Sequence, residues 1–289
     1  MKSFVHNSIL ILSLLWLTSC SSLLYYPTPD YYYPPHRFGL KPQEFWITLN
    51  NQKKIFSWYF KTTNPIVDKK TKSEKSKGLI VFLHGNGENI SSHYLQLSWI
   101  LDDGYDLFIF DYPGYGLSEG EANTDTVVSA SSEALTWAYQ FNENKPIIIY
   151  GQSMGGITAL KALENCQDQI KIAALILDGT FYSYQKIARE KLSEHWLTWI
   201  LQPFAYILLS DDYAPQNYEH LNGIPKLVIV GLRDTLVPPH WGQELYNKLP
   251  DPKTIWEQPY AKHTETFWTE DKMYRIKFLN YLDQVLIKN

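Results

Sequence analysis

Residues 146–156 read Pro146-Ile147-Ile148-Ile149-Tyr150-Gly151-Gln152-Ser153-Met154-Gly155-Gly156. A dense apolar run ends on Gly-x-Ser-x-Gly, and GGITALKAL follows with helical spacing. A short continuous apolar run fits a strand covered on both faces, which implies a parallel sheet between layers of helix. Strand, turn and helix in that order put Ser153 at the apex of a nucleophile elbow. The tight turn strains the backbone at Ser153. Gly151 and Gly155 remove side-chain bulk that would strike the neighbouring strand and helix, and Gly156 lets the helix pack close to the sheet. Ser153 Oγ is then expected above the sheet, beside amides at a helix N-terminus, where developing negative charge is favoured. The plainer alternative is a tight structural turn around a buried Ser.

The same pattern repeats outward from this point. GLIVFLHG (78–85), YDLFIFDYPG (105–114), IAALILDG (172–179) and PKLVIVG (225–231) are further buried-strand candidates, and KTIWEQP (253–259) ends the series. EFWITL and KIFSWYF alternate polar and apolar residues about Asn50-Asn51-Gln52, as a hairpin does. Helical periodicity fills about 92–101, 124–142, 155–165, 240–248 and 267–286. The expected class is α/β: a mostly parallel eight-stranded sheet flanked by helices, with right-handed crossovers. Residues 180–222 are too long for a plain connection and too apolar for a solvated loop. They read as a small helical cap over the carboxyl ends of the strands, where open α/β sheets bind ligands. The Lys-rich stretch 69–77 reads as a solvated loop. Neither a Rossmann glycine pattern nor a phosphate-binding GxxxxGK[ST] is present.

Composition narrows the class from another side. The 289 residues are 45% hydrophobic and 19% charged, which excludes a disordered or collagen-like chain. A net charge of −4 gives no bulk electrostatic reason to bind nucleic acid. Two cysteines make a disulfide framework improbable on arithmetic alone. Cys166, at the end of a helical stretch, reads as structural.

A serine alcohol needs a base and an acid. In this architecture the chain order is Ser, acid, His. His263, in QPYAKHTETFW, follows the last strand and is the expected base; His195 and His220 fall in the cap, and His240 opens a later helix. Asp234, after PKLVIVG, is the expected acid, which would fix the imidazole tautomer and stabilise the imidazolium. Asp178 is the runner-up, while Asp211 and Asp212 read as cap or loop residues. An oxyanion needs two amides. Met154 N–H, next to the nucleophile, and Asn86 N–H, in the loop His84-Gly85-Asn86-Gly87, are expected to supply them. His84 reads as a brace for that loop.

These motifs together resemble the α/β-hydrolase superfamily, most closely the Bem46-like and ABHD13/ABHD17-like serine hydrolases grouped with S33 peptidases. The shared residues are His84-Gly85-Asn86, the run Asp111 to Gly120 (DYPGYGLSEG), Gly151 to Gly156, Asp234 with Val237-Pro238, and His263. The resemblance covers about 44–286. It implies structural roles for Gly114, Gly116 and Gly120, and a position bordering the pocket for Tyr112 and Tyr115. Lys262 stands where the family often has Gly. The implied reaction is acyl transfer to water through a covalent acyl-enzyme, with no metal or organic cofactor. The implied substrate is a small-molecule or lipid ester, with thioester or peptide hydrolysis as alternatives. A non-catalytic binding protein on the same scaffold is the remaining class.

The front of the chain carries a separate signal. ILILSLLWL (9–17) is too short to span a membrane but suits a secretory h-region. Leu17-Thr18-Ser19-Cys20 directly after it resembles a bacterial lipobox. That resemblance implies removal of residues 1–19, lipidation of Cys20, and an envelope location, with Ser21 favouring the periplasmic face of the outer membrane. A plain secretory signal and a cytoplasmic chain are the alternatives. Residues 20–42 hold five Pro and five Tyr from Ser21 onward and are expected as a semi-extended tether. Its tyrosines would rest either on lipid or on the domain, which occupies 43–289.

Overall fold

The computed structural model describes residues 24–67, 74–142, 145–194, 196–269 and 272–287. Eight strands form the main sheet: β1 Gln43–Thr48, β2 Lys54–Phe60, β3 Gly78–Leu83, β4 Tyr105–Phe110, β5 Ile147–Gln152, β6 Ala174–Asp178, β7 Lys226–Gly231 and β8 Lys253–Gln258. Their order is β1-β2-β4-β3-β5-β6-β7-β8. The first hairpin and the β2–β4 pair are antiparallel, and every later pair is parallel. A ribbon of Ile66–Val67 with Glu74–Lys75 lies outside this sheet.

Strands β3 to β7 are buried at every position, as continuous apolar runs require. Their side chains alternate between two cores. Leu79, Val81, Leu83 and Ile149 face helices α1 (Thr124–Phe141), α2 (Met154–Cys166) and α4 (Pro239–Lys248). Ile80, Phe82, Ile148 and Tyr150 face the 90–103 segment and helix α5 (Met273–Ile287). Each such side chain contributes roughly 1.5–3 kcal/mol on burial. Asn123 caps α1 in a capping box with Thr126.

Two helices differ from their periodicity. The stretch expected at 92–101 is one α-turn, Ile90–His93, followed by 3-10 turns Tyr94–Gln96 and Ser98–Asp103. Leu97, at φ −119° and ψ 2°, breaks it. The last helix begins at Met273 rather than 267, because Thr266–Trp268 form a separate 3-10 turn.

The register aligns the carboxyl ends of the central strands. Leu83 pairs with Gly151, Gln152 with Asp178, and Gln258 with Gly231. The loops carrying Asn86, Ser153, Asp234 and His263 therefore leave the sheet along one edge. Within 180–222, helix α3 (Tyr184–Ser193), a 3-10 turn Trp199–Phe204 and the α-turn Ala205–Leu208 stand at that edge. Ser183 caps α3 by accepting from Lys186 N–H at 3.1 Å, and Asp211 accepts from Ser183 Oγ and from Gln185 N–H. Side-chain bonds fasten the cap to the elements beside it. Lys191 Nζ donates to the Thr235 carbonyl at 2.8 Å, and Trp241 Nε1 donates to Glu190 at 2.6 Å.

The extended segment from residue 24 is laid along the domain. Tyr26 N–H donates to Asn86 Oδ1 at 3.0 Å, and Asn86 Nδ2 donates back to the Leu24 carbonyl. Asn89 Nδ2 donates to the carbonyls of Thr28 and Asp30, and Tyr32 N–H to Ser91 Oγ at 2.9 Å. Tyr25 is buried in the core and Tyr31 meets Trp58 edge-on, while Tyr26, Tyr32 and Tyr33 are exposed. The candidate lipidation residue Cys20 and the run 9–17 lie outside the described residues. Among those described, no helix is long and apolar enough to cross a membrane.

Candidate active site

Ser153 sits between β5 and α2 at φ 54° and ψ −121°, a region L-residues rarely adopt. The neighbouring strand over-determines that conformation. Ser153 N–H donates to the Asp178 carbonyl at 2.8 Å, and the Ser153 carbonyl accepts from Thr180 Oγ1 at 2.6 Å. A Cβ on Gly155 would lie 2.1 Å from the Leu83 carbonyl oxygen, and one on Gly151 2.6 Å from Gly156 Cα. The glycines of the motif thus answer to close backbone approach. Ser153 itself remains partly exposed.

Asp234, buried in the loop after β7, uses both carboxylate oxygens. Oδ1 accepts from Leu236 N–H and Val237 N–H, each at 2.8 Å, and Oδ2 lies 2.6 Å from His263 Nδ1. Arg233 N–H donates to the Ala261 carbonyl at 3.1 Å, tying the acid loop to the histidine loop. Lys262 leaves this geometry intact: Thr264, at φ 54°, rather than Lys262, takes the left-handed conformation.

The imidazole packs over Gly179, whose φ is +58°. A Cβ there would lie 3.4 Å from His263 Cε1 and Nδ1. Gly179 follows Asp178, the residue that holds the Ser153 amide. Acid and imidazole are thus joined directly, while Ser153 is their neighbour through Asp178-Gly179. No hydrogen bond joins Ser153 Oγ to the ring among the described residues, a link that commonly tightens only with substrate bound.

The loop after β3 closes the other side. A Cβ on Gly85 would come 3.4 Å from Ser153 Cβ. Among the described residues no protein acceptor takes the Asn86 or Met154 amide. The Asn86 side chain turns away and braces the loop. Its Oδ1 accepts from Tyr26 N–H, Gly87 N–H and Tyr115 Oη.

Tyr112 and Tyr115, expected at the pocket border, are instead fully buried behind this loop. Their hydroxyls find acceptors there: Tyr112 Oη donates to the His84 carbonyl at 2.8 Å and Tyr115 Oη to Asn86 at 2.7 Å. His84 is sandwiched between His93 and Tyr112, with its Nδ1 2.8 Å from the Gly85 carbonyl. Burial pushes both histidines below the usual imidazole range, so they are neutral braces at pH 7. His93, 3.1 Å from the Gly87 carbonyl through Nε2, was not evident as a site residue from sequence because its role depends on a fold contact.

The remaining candidates fall elsewhere. His195 lies outside the described residues. His220 sits in the 3-10 turn before β7, and His240 faces Glu190 at 3.1 Å. Asp178 is buried below the site, its Oδ2 accepting from Tyr150 Oη at 2.6 Å. Burial raises this carboxyl to about 6. Asp111 is raised to about 7 for the same reason and accepts from Ile90 N–H, coupling the glycine-rich loop to the 90–93 turn. Buried Cys166, its thiol pushed up to about 12, is inert. Among the described residues no three His, Cys, Asp or Glu are grouped to hold a metal ion.

A strained serine between strand and helix, a buried Asp–His pair from the next loops and an eight-stranded sheet of this order are the features of the α/β-hydrolase fold, which the chain shares. The family model described as serine aminopeptidase, S33, matches residues 74–217, which include Ser153 but neither Asp234 nor His263. The uncharacterized protein YfhR of Salmonella typhi is 27% identical over 89% of this chain and 88% of its own. The lysophosphatidylserine lipase ABHD12 of Danio rerio is 28% identical over 76% of this chain and 60% of its own. Among solved structures, the Pyrococcus furiosus esterase Pf2001 superposes with a TM-score of 0.66 at 18% identity, over 91% of this chain and 98% of that one.

Proposed function

We propose that the chain is a serine hydrolase of carboxylic esters and related acyl compounds. The observation that carries this reading is the 2.6 Å Asp234–His263 contact beside a serine held at φ 54°. His263, its Nδ1–H held by Asp234, takes the Ser153 proton at Nε2 as Oγ attacks the acyl carbon. The amides of Asn86 and Met154 hold the oxyanion. The imidazolium then protonates the leaving alcohol, thiol or amine, and the acyl-enzyme remains. Water attacks that ester by the same route, returning the acid product and free Ser153.

The apolar cap and the lipase among the relatives favour lipid acyl esters as the substrate class. The lipobox-like LTSC supports a bacterial envelope location with Cys20 as the anchor and the periplasmic face of the outer membrane as the site. Turnover of p-nitrophenyl esters of increasing chain length, absent in Ser153→Ala, tests the reading. Cleavage of N-terminal peptide substrates without ester turnover would replace it with the peptidase alternative.

A further inference from the structure

The loops at the carboxyl edge of the sheet end in exposed apolar side chains. Leu117 follows β4, Leu236 follows β7, and Tyr260 and Trp268 follow β8. The cap after β6 is the most apolar of them: Trp199, Ile200 and Ile207 are 63%, 72% and 70% exposed. Scattered exposed apolar residues need no explanation, whereas a contiguous apolar stretch at the mouth of a site does. Cations accompany it. Lys186 and Arg189 lie on α3, and Arg233 stacks over Tyr260 at 5.1 Å. Trp and Tyr with Lys and Arg around an aliphatic face is the composition of a bilayer-interface surface.

The N-terminal segment supplies an independent constraint. Leu24 is bonded to Asn86, in the loop beside Ser153. Cys20 is four residues earlier, and four residues of extended chain span at most about 14 Å. The attachment point of a lipid on Cys20 is therefore no farther than that from the Leu24 backbone. The segment from Leu24 is bonded at the active-site edge, so an anchor on Cys20 would bring that edge down.

We propose that the carboxyl edge of the sheet, through the cap face of Trp199, Ile200 and Ile207, docks on a lipid bilayer, so that the Ser153 mouth opens onto the membrane. This rests on the lipid-anchored hydrolase reading above. Amphiphiles would reach Ser153 from the bilayer without crossing water, and the cations would meet anionic headgroups.

The test uses the full chain in vesicles of phosphatidylethanolamine with a minority of phosphatidylglycerol. A nitrobenzoxadiazole label is placed through Ile200→Cys or, at the opposite edge, through exposed Lys171→Cys, and doxyl lipids serve as quencher. Quenching at position 200 but not at 171 supports docking. Equal or absent quenching at both positions on vesicle-bound protein overturns it. So does a doubling of mass in sedimentation with position 200 unquenched, which would make the cap face a self-association surface. The triple substitution Trp199→Ser/Ile200→Ser/Ile207→Ser is expected to lower turnover of a vesicle-embedded ester about tenfold and to leave a soluble butyrate ester within about twofold. An equal fall on both substrates would make the cap structural only and overturn the proposal. Fluorophosphonate labelling of the same samples reads the hydrolase chemistry separately, so loss of labelling with quenching intact would reject the hydrolase and retain the docking.

Discussion

At the scale of single residues, the proposed acid and base, Asp234 and His263, are already in contact. Asp234 spends one oxygen on two backbone amides and the other on His263, so the imidazole has one orientation and one tautomer. Asp234→Asn keeps the shape but inverts that preference, and kcat for ester hydrolysis is expected to fall by about 10³–10⁴. Circular dichroism like the parent's would show that the loss is chemical. Asp178 makes a second residue-scale prediction. Its carboxyl titrates near 6 when folded and near about 3.9 when unfolded. Between those values the folded chain holds a proton that the unfolded chain has lost, so stability falls as pH rises through this window. The penalty is fully present above the folded value. Asp178→Asn, which still offers Tyr150 an acceptor, is expected to flatten that part of the pH–stability curve measured by urea unfolding.

At the scale of elements, the elbow works because β3, β5, α2 and the end of β6 meet without side chains between them. Gly155→Ala would put a Cβ 2.1 Å from the Leu83 carbonyl oxygen. It is expected to destabilise the fold by about 3 kcal/mol, read in the denaturant midpoint, because backbone on both sides resists displacement. These contacts were legible in sequence: an apolar run ending in Gly-x-Ser-x-Gly permits little else. The 90–103 segment was not, because its periodicity fits an α-helix while the break at Leu97 leaves only short turns. Tyr112 and Tyr115 misled for a related reason. A tyrosine in a loop beside a site can face the ligand or back the loop, and only the carbonyl of His84 and the side chain of Asn86 decide between them.

At the scale of the whole molecule, the segment from residue 24 is part of the domain. Its bonds join residues about sixty positions apart, such as Tyr26 to Asn86 and Tyr32 to Ser91. No local pattern reveals such pairs, and five prolines suggest a free linker instead. The proposed anchor makes its own prediction. Cys20→Ala is expected to abolish metabolic labelling by an alkyne palmitate analogue and to release the protein from the membrane fraction, while equal labelling of the variant would exclude Cys20 as the lipid site. The central claim is that Ser153 is an activated nucleophile. Reaction of the folded chain with a fluorophosphonate probe, followed by mapping of the modified peptide, tests it most directly. The account predicts one adduct, on Ser153, lost in Ser153→Ala and much reduced in His263→Ala. Folded protein that takes no label at Ser153 would contradict it.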